Sequence, residues 1–151
     1  MALVRATGLD FQLVASLVDE FHRYEGITID TELRDAALSV LLQADASAGA
    51  IYLVKDTQNT VLGYVVLCFG FSIESGGKDA FIDELYLSPT ARGRGVGKMV
   101  LDEIEDVARN AGVTKLHLEV SRDNLRAKHY YLKAGFAARE KYHLMSLTLN
   151  V

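Results

Sequence analysis

The residues whose types and spacing most clearly suggest chemistry lie at positions 92–98, where the chain reads Arg-Gly-Arg-Gly-Val-Gly-Lys. Three glycines at alternate positions let the backbone approach a ligand where a Cβ atom would obstruct it. The pattern that follows predicts a helix, whose first turn presents N–H groups and the positive end of the helix dipole. Two arginines and a lysine add charge-assisted hydrogen bonds. This segment, which we call the glycine loop, therefore predicts a site for an anionic phosphate.

The spacing of the glycine loop distinguishes between phosphate-binding motifs. A Walker A loop requires Gly-x-x-x-x-Gly-Lys-Ser/Thr, and that frame is absent because Lys98 is followed by Met99. A dinucleotide-binding fingerprint requires an acidic residue at the end of the next strand, and Glu119 lies near that place. However, the glycine loop follows the fourth predicted strand, whereas that fingerprint follows the first strand of a doubly wound sheet. A flexible arginine-rich turn is the structural alternative.

Hydrophobic periodicity predicts the elements that position this loop. Helical spacing of apolar residues indicates helices from about Phe11 and Thr31, a third after the glycine loop, and a short fourth near Asn124–Ala134. Alternation and β-branched residues predict strands at 2–6, 51–54, 61–71, 80–87 and 116–120, and two more from Phe136 and at 142–149. The predicted order is β-α-α-β-β-β-α-β-α-β-β, which is a mixed α/β fold in one domain spanning residues 1–151.

Composition limits the class of protein. The chain has 151 residues, half of them hydrophobic, which favours one globular domain with a sizeable core. No apolar run approaches the ~20 residues of a membrane span, and Asp10 and Asp19 interrupt any signal-peptide pattern. Cys68 is the only cysteine, so an internal disulfide is excluded and a reducing compartment is favoured. We expect a cytoplasmic protein that does not bind membranes.

Charge is distributed unevenly along the chain. The net charge of −4 argues against a general nucleic-acid binder. Residues 1–90 carry 5 Lys/Arg against 13 Asp/Glu, whereas residues 91–151 carry 11 against 7. The second part is therefore suited to an anionic ligand, and the first part to a cationic or neutral one.

Two segments together resemble a known family. Arg92–Gly97 resembles the Arg/Gln-x-x-Gly-x-Gly motif of the GNAT superfamily of acetyl-CoA-dependent N-acetyltransferases. Asn124–Phe136 is similar to the Asn-x-x-Ala-x-x-x-Tyr-x-x-x-Gly-Phe segment of the same family. The likeness covers residues 80–136 by motif and the whole chain by element order. It implies a mostly antiparallel mixed sheet of six to seven strands, splayed at the cofactor site and flanked by about four helices.

The resemblance also implies a binding site for acetyl-CoA, the acyl donor, and no metal. Backbone amides of the glycine loop would hold the pyrophosphate. The pantetheine arm would pair with main-chain groups of the central strand, where a neighbouring strand diverges near Val120. The residues implied are Leu85, Tyr86, Leu87, Arg92, Gly93, Arg94, Gly95, Val96, Gly97 and Lys98.

Two residues of the second motif acquire roles by the same resemblance. Tyr131 matches the family tyrosine that protonates the departing thiolate, and Asn124 would order this segment and the cofactor arm. A phenol with a pKa of about 10 can donate to a sulfur with a pKa of about 8.5 without a strongly uphill transfer. The structural alternative for Tyr131 is a core aromatic residue at helical spacing, and Tyr130 is the better candidate for that role.

Three carboxylates are candidates for the general base that deprotonates the acceptor amine, ranked Glu84, Glu119, then Asp83. Glu84 and Asp83 lie on the central strand and point to opposite faces if it is regular, and a bulge would exchange them. Glu119 is a candidate because Leu-Glu-Val at 118–120 resembles the branch that acetylates ribosomal proteins and N-termini. Structural ion pairs, or a water chain that serves as the base, are the alternatives.

Other polar residues give weaker signals. The four histidines have no metal-ligand spacing, and Cys68 lies in an apolar strand, which favours a buried residue over a nucleophile. The end of the first helix lies where the family forms part of the acceptor pocket, with ordinary helix packing as the alternative. Glu74 and the neighbouring Gly-Gly pair are placed similarly. The acceptor-side residues are Phe21, His22, Tyr24 and Glu25.

We therefore expect an N-acetyltransferase that moves an acetyl group from acetyl-CoA to a primary amine by direct transfer in a ternary complex. Direct transfer is favoured because Cys68 is far in sequence from both motifs. The acidic first part favours a cationic acceptor, such as a polyamine, an amino sugar or a basic peptide end. A non-catalytic acyl-CoA- or nucleotide-binding regulatory module is the alternative, and pairing of the last strands makes a homodimer plausible.

Overall fold

The computed structural model of the chain describes residues 1–149. In this part it has four α-helices and five β-strands. None of these helices is both long and apolar enough to cross a bilayer. In chain order the elements are β1 (Ala2–Arg5), α1 (Phe11–Glu25), α2 (Thr31–Leu41), β2 (Gly49–Lys55), β3 (Val61–Ser72), β4 (Gly77–Leu87), α3 (Val96–Asn110), β5 (Lys115–Leu118) and α4 (Leu125–Lys133).

Local signals in the sequence set the ends of α1 and α2. Gly26 ends α1 because its φ of +70° is a left-handed conformation that glycine adopts without strain. Asp30 begins α2, because its carboxylate accepts hydrogen bonds from the N–H groups of Glu32 and Leu33 at 2.9 and 3.2 Å. The predicted starts of both helices and the end of α1 at Gly26 are therefore confirmed.

The sheet has the strand order β1-β2-β3-β4-β5. Its first three pairings are antiparallel, whereas β4 and β5 are parallel and are connected through α3. Between β3 and β4 the register shifts: Val66 pairs with Glu84, but its neighbour Leu67 pairs with Ile82. Asp83 is therefore the extra residue of a β-bulge in the central part of β4.

The apolar core lies on both faces of this sheet. One face is covered by α1 and α2, which bury Val14, Val18 and Leu38 against β2, β3 and β4. The opposite face is apolar as well, since alternate residues of the same strands, such as Val65 and Leu67, are fully buried. The buried stripe of α3 belongs to this second layer: Val96, Val100, Leu101, Ile104 and Ala108.

The chain divides into two compact units. The first is Met1–Leu118 and contains the whole sheet with α1, α2 and α3, and the second begins at Glu119 and contains α4. Each unit is described below by itself. A single functional domain over residues 1–151 stays a prediction.

Three expectations about strands need correction. β4 begins at Gly77 rather than near residue 80, because only residues 73–76 form the turn after β3. β5 ends at Leu118, so Glu119 and Val120 lie outside it. The described residues 136–149 form no strand, so the expected six to seven strands are not confirmed. Alternating apolar residues fit a sheet surface, but a strand requires a neighbour that completes its hydrogen-bond ladder.

A substitution at Gly63 can test how closely β3 and β4 approach each other. A Cβ atom at this position would lie 2.0 Å from the carbonyl oxygen of Tyr86, and this backbone oxygen has no freedom to move aside. We predict that Gly63→Ala lowers the free energy of unfolding by roughly 1–3 kcal/mol, measured by equilibrium denaturation. Gly8→Ala is the matched control, because no heavy atom lies within 4 Å of its added Cβ. Equal stability of the two variants would contradict the prediction.

Candidate active site

The bulge in β4 decides which carboxylate faces α1. Directly paired residues of neighbouring strands share a face of the sheet, and Glu84 pairs with Val66, which belongs to the core under α1. Strict alternation from Ile82 would have placed Asp83 on that face instead. Asp83 is exposed, whereas Glu84 is largely buried. Of the two central-strand candidates, the structure therefore places Glu84 on the face covered by α1.

The Glu84 carboxylate is held by hydrogen bonds from two elements. One oxygen, Oε2, lies 2.5 Å from Nε2 of His22, in the last turn of α1. The other, Oε1, accepts a hydrogen bond of 3.0 Å from the hydroxyl of Tyr64 on β3. The side chains of His22 and Glu84 are 14% and 16% exposed, so the pair is largely buried but still accessible to solvent. We call His22, Tyr64 and Glu84 the carboxylate triad.

Burial and hydrogen bonding act in opposite directions on Glu84. Burial raises the pKa of this carboxyl above its ordinary value, because it disfavours the charged form. The hydrogen bonds from His22 and Tyr64 lower the pKa, whereas the nearby charge of Asp83 raises it, and the net shift is upward. Burial together with the Glu84 charge also raises the pKa of Tyr64, which therefore stays a hydrogen-bond donor. A half-buried carboxylate with a raised pKa has the properties of a general base.

An aromatic cluster, formed by Phe21, Tyr64 and Tyr86, packs next to Glu84. The ring of Phe21 lies 6.3 Å from that of Tyr64 and 5.9 Å from that of Tyr86, and the two tyrosine rings are 6.2 Å apart. These are normal separations for tilted and edge-on aromatic pairs. The Tyr86 hydroxyl donates to the carboxylate of Glu20 at 3.2 Å, which ties β4 to α1 a second time. The cluster fixes the spacing between α1 and the strands that carry Glu84.

Arg92 connects the glycine loop to the same cluster. Its Nε donates to the carbonyl of Leu87 at 3.0 Å, and its guanidinium lies 4.8 and 5.8 Å from the ring centroids of Tyr24 and Tyr86. Both rings stand within the range of cation–π attraction. Arg92 therefore fastens the end of β4 to the end of α1. Sequence reasoning placed this arginine in a phosphate site and gave no sign of these contacts.

The rest of the glycine loop has the conformation expected of an anion-binding turn. Gly93 and Gly95 have φ values of +71° and +76°, and no heavy atom lies near their added Cβ atoms, so conformation rather than space requires glycine. Gly95 is the N-cap of α3, and no side chain of the described residues caps this helix. The first-turn amides of Val96 and Gly97 are thus left for an anion.

The two other basic residues of the loop are partly engaged. Lys98 forms a 2.5 Å ion pair with Asp102 one turn along α3, and Arg94 lies 3.5 Å from the carbonyl of Thr90. The Lys98 side chain is 74% exposed, so its ion pair with Asp102 is worth little and does not fix it. The main-chain amides of the loop are therefore better placed to bind a diphosphate than its basic side chains are.

The edge of β4 supplies a further set of main-chain groups. Its parallel pairing with β5 ends at Ile82, opposite Leu118. Within the part of the chain that the structure describes, residues 83–87 pair as strand only with β3. Leu85 lies in this stretch, whereas the carbonyl of Leu87 is already an acceptor for Arg92. A half-paired strand is a template on which an extended ligand with amide groups can add.

In the second unit, the motif residues of α4 are explained by helix capping. Asn124 is the N-cap, and its side-chain oxygen accepts a 3.1 Å hydrogen bond from the N–H of Ala127. At the other end Gly135 has a φ of +101°, and the N–H of Phe136 donates to the carbonyl of Tyr131 at 3.0 Å. Together with the bond from Gly135 to Leu132, this is a Schellman ending.

Tyr131 is held by this ending. The ring of Phe136 lies edge-on to that of Tyr131, with centroids 5.8 Å apart. Burial raises the pKa of the Tyr131 phenol, so the group stays protonated at neutral pH, as a proton donor must. Asn124, Tyr131 and the exposed Glu119 belong to the second unit, and their predicted roles stay predictions.

Sequence reasoning missed the roles of His22 and Tyr64. His22 was predicted to lie at the end of the first helix, where the family forms part of the acceptor pocket, and Tyr64 only to lie in an apolar strand; neither was predicted to contact Glu84. Their partnership with Glu84 depends on the bulge register, which leaves no signature in hydrophobic alternation. The one available signal was the placement of polar His22 and Glu84 beside apolar neighbours on α1 and β4.

Two other kinds of site were considered. No group of three or more His, Cys, Asp and Glu side chains within residues 1–149 is arranged to hold a metal ion. Burial raises the pKa of Cys68 to about 11, so its thiol is protonated at neutral pH and is a poor nucleophile.

Comparison with known proteins identifies the family. The sequence model described as "Acetyltransferase (GNAT) family" matches residues 12–136. An IAA acetyltransferase of Azospirillum brasilense is 32% identical over 126 residues, which are 83% of this chain and 78% of that protein. A thialysine N-epsilon-acetyltransferase of Bos taurus is 31% identical over 75 residues, 50% of this chain and 44% of its own length.

The fold of a solved structure agrees with this match. An integron cassette protein from the mobile metagenome of Cole Harbour Salt Marsh superimposes with a TM-score of 0.82 and 28% identity. The alignment covers 99% of this chain and 91% of that one.

The cap of α4 is open to a direct test. We predict that Asn124→Ala lowers the free energy of unfolding by about 1 kcal/mol, because the N–H of Ala127 loses its acceptor. Asn124→Asp retains an acceptor at the same place and serves as the matched control. Amide hydrogen exchange in α4 is the measurement, and unchanged exchange in Asn124→Ala would show that the cap does not stabilise the helix.

Proposed function

This chain belongs to the acetyltransferase (GNAT) family, and we propose that it transfers an acetyl group from acetyl-CoA to a primary amine. The observation that carries the proposal is Glu84, a half-buried carboxylate with a raised pKa at a β-bulge in the central strand. An acceptor amine is a cation near neutral pH and must lose a proton before it attacks. A carboxylate whose proton affinity is increased by burial can accept that proton.

The donor would be held by the first unit in two places. The amides of Val96 and Gly97 fit the pyrophosphate of coenzyme A, because no side chain among residues 1–149 caps this helix. The half-paired edge of β4 fits the amide groups of the pantetheine arm, through main-chain groups near Leu85 and Tyr86. Bound there, acetyl-CoA supplies an activated thioester carbonyl.

Direct transfer would require three proton movements. The carboxylate of Glu84 would accept a proton from the acceptor ammonium, and the freed amine would attack the thioester carbon, forming a C–N bond and a positively charged nitrogen. As the C–S bond breaks, the departing sulfur would take the phenolic proton of Tyr131, whose pKa burial raises. The nitrogen would then lose its second proton to solvent, from which the Tyr131 phenolate regains one. The products are an N-acetyl amine and free coenzyme A, and one proton is released overall when Glu84 returns to its carboxylate form.

The acceptor we propose is cationic. Glu20 and Glu25 add carboxylates to α1, the helix that carries His22, and Glu20 accepts a hydrogen bond from Tyr86, two residues along β4 from Glu84. The basic group that contacts Glu84 is His22. The bovine relative is named for acetylation at an ε-nitrogen of thialysine, which is consistent with an amine acceptor. Cytoplasmic localisation and a homodimer stay predictions.

The assay that tests the function measures release of free coenzyme A from acetyl-CoA with a panel of amines. The panel contains polyamines, amino sugars and basic peptides, together with neutral and anionic amines of similar size. We expect turnover with cationic members. Turnover confined to neutral and anionic amines would contradict the proposal that the acceptor is cationic. Acetyl-CoA binding without turnover on a broad panel would favour a non-catalytic binding module.

Two substitutions test the assigned residues. We predict that Glu84→Gln and Tyr131→Phe each lower kcat by roughly 10²–10⁴-fold, because each removes a proton-transfer group. Their dissociation constants for acetyl-CoA, measured by calorimetry, are expected to change little. Tyr142→Phe is the matched control, since that ring is 55% exposed and contacts only Arg139 and Lys141 among aromatic and cation–π partners. An unchanged kcat in Glu84→Gln or Tyr131→Phe would show that the substituted residue does not transfer a proton in the reaction.

A further inference from the structure

We propose that His22 is the positioning residue of the Glu84 base: from the last turn of α1 it orients the carboxylate for proton abstraction. The proposal rests on the function proposed above, because it concerns the same base. Its geometric basis is the 2.5 Å contact between Nε2 of His22 and Oε2 of Glu84, on two side chains that are both largely buried.

The contact joins elements that are far apart in the sequence. His22 and Glu84 are separated by 62 positions, and they meet only because the bulge turns Glu84 to the face covered by α1. The aromatic cluster then fixes the distance, since Phe21 packs on rings from both β3 and β4. A helix held in this way fixes the histidine at a constant distance from the carboxylate.

The hydrogen-bond pattern leaves Glu84 free to act. An ionised carboxylate offers about four acceptor sites on its two oxygens. His22 occupies one site on Oε2, and the hydroxyl of Tyr64 occupies one on Oε1. Each oxygen therefore keeps a lone pair for an incoming proton, while the plane of the carboxylate is fixed by two donors. Removal of either donor would free the carboxylate to rotate.

The groups with the largest effects on the ionisation of Glu84 come from three elements. His22 on α1 and Tyr64 on β3 favour the carboxylate form through hydrogen bonds, whereas Asp83 on β4 disfavours it. Burial, the largest effect, also disfavours it. His22 is first among the groups that oppose burial. Without His22, the carboxyl is protonated at pH values where the native carboxylate is ionised.

The experiment reads the ionisation of Glu84 directly and through the rate. The side-chain carboxyl carbon of Glu84 is titrated by NMR in protein with ¹³C-labelled glutamate, and its signal is assigned by its loss in Glu84→Gln. The same proteins are assayed for kcat/KM against pH, with the best acceptor from the panel. The acceptor's own titration is common to all variants, so differences between them report the enzyme.

Three variants are compared with the native protein. In His22→Ala the midpoint of the Glu84 titration is expected to rise, and kcat/KM on the acid side to fall roughly tenfold, the effect of one lost charge-assisted hydrogen bond. His22→Gln retains an N–H donor on a side chain that cannot take up a proton, and we expect intermediate values. His143→Ala is the matched control, because that histidine is exposed, and it should reproduce the native curves.

The outcomes separate this inference from the proposed function. A Glu84 midpoint that is the same in His22→Ala, His22→Gln and native protein overturns the positioning role, whatever the activity. A shifted midpoint of the Glu84 titration, with kcat/KM on the acid side unchanged, also overturns it, because the base would then be another group. Absence of turnover in the native protein refutes the proposed function, while the NMR titration still measures the His22–Glu84 coupling. If His22→Ala does not fold, His22→Gln decides, with a midpoint above the native value expected.

Discussion

The candidate site depends on one extra residue in β4. Because Asp83 bulges out of the ladder with β3, Glu84 changes face and comes under α1, where His22 and Tyr64 bind it. The shift also comes where β4 loses its second neighbour, since β5 pairs only as far as Ile82. A bulge twists and bends a strand locally, so one feature both aims the carboxylate and opens the strand edge. The proposed base and the strand edge proposed to bind the donor are thereby positioned by the same local change.

The carboxylate triad balances two opposing demands. Burial gives Glu84 a higher proton affinity than an exposed glutamate has, which a base for an ammonium ion needs. Burial alone would leave an unpaired charge, at a cost of several kcal/mol, or a protonated and inactive carboxyl. The two donors reduce that cost without neutralising the group. The rings of Phe21, Tyr64 and Tyr86 pack together on the same face of the sheet and limit the contact of Glu84 with solvent.

Sequence alone predicted the parts of the fold that local chemistry determines. Gly26 ends α1 through its left-handed backbone conformation, and Asp30 begins α2 through its side-chain cap. The glycine loop begins α3 as expected. The bulge was raised as a possibility but its register was not, because hydrophobic alternation does not reveal which residue is the extra one. The expected strands after Gly135 failed for a related reason. The sequence shows that a segment favours extended backbone, but the partner that completes a ladder lies elsewhere in the chain.

The glycine loop illustrates how a motif residue can serve the fold as well as the ligand. Arg92 begins a loop suited to diphosphate, yet its guanidinium lies over the rings of Tyr24 and Tyr86, and its Nε binds the end of β4. Since Tyr86 also donates to Glu20 on α1, the loop, β4 and α1 share one set of contacts. A ligand that drew Arg92 toward its phosphates would weaken these cation–π contacts, and with them the attachment of the loop to the end of α1.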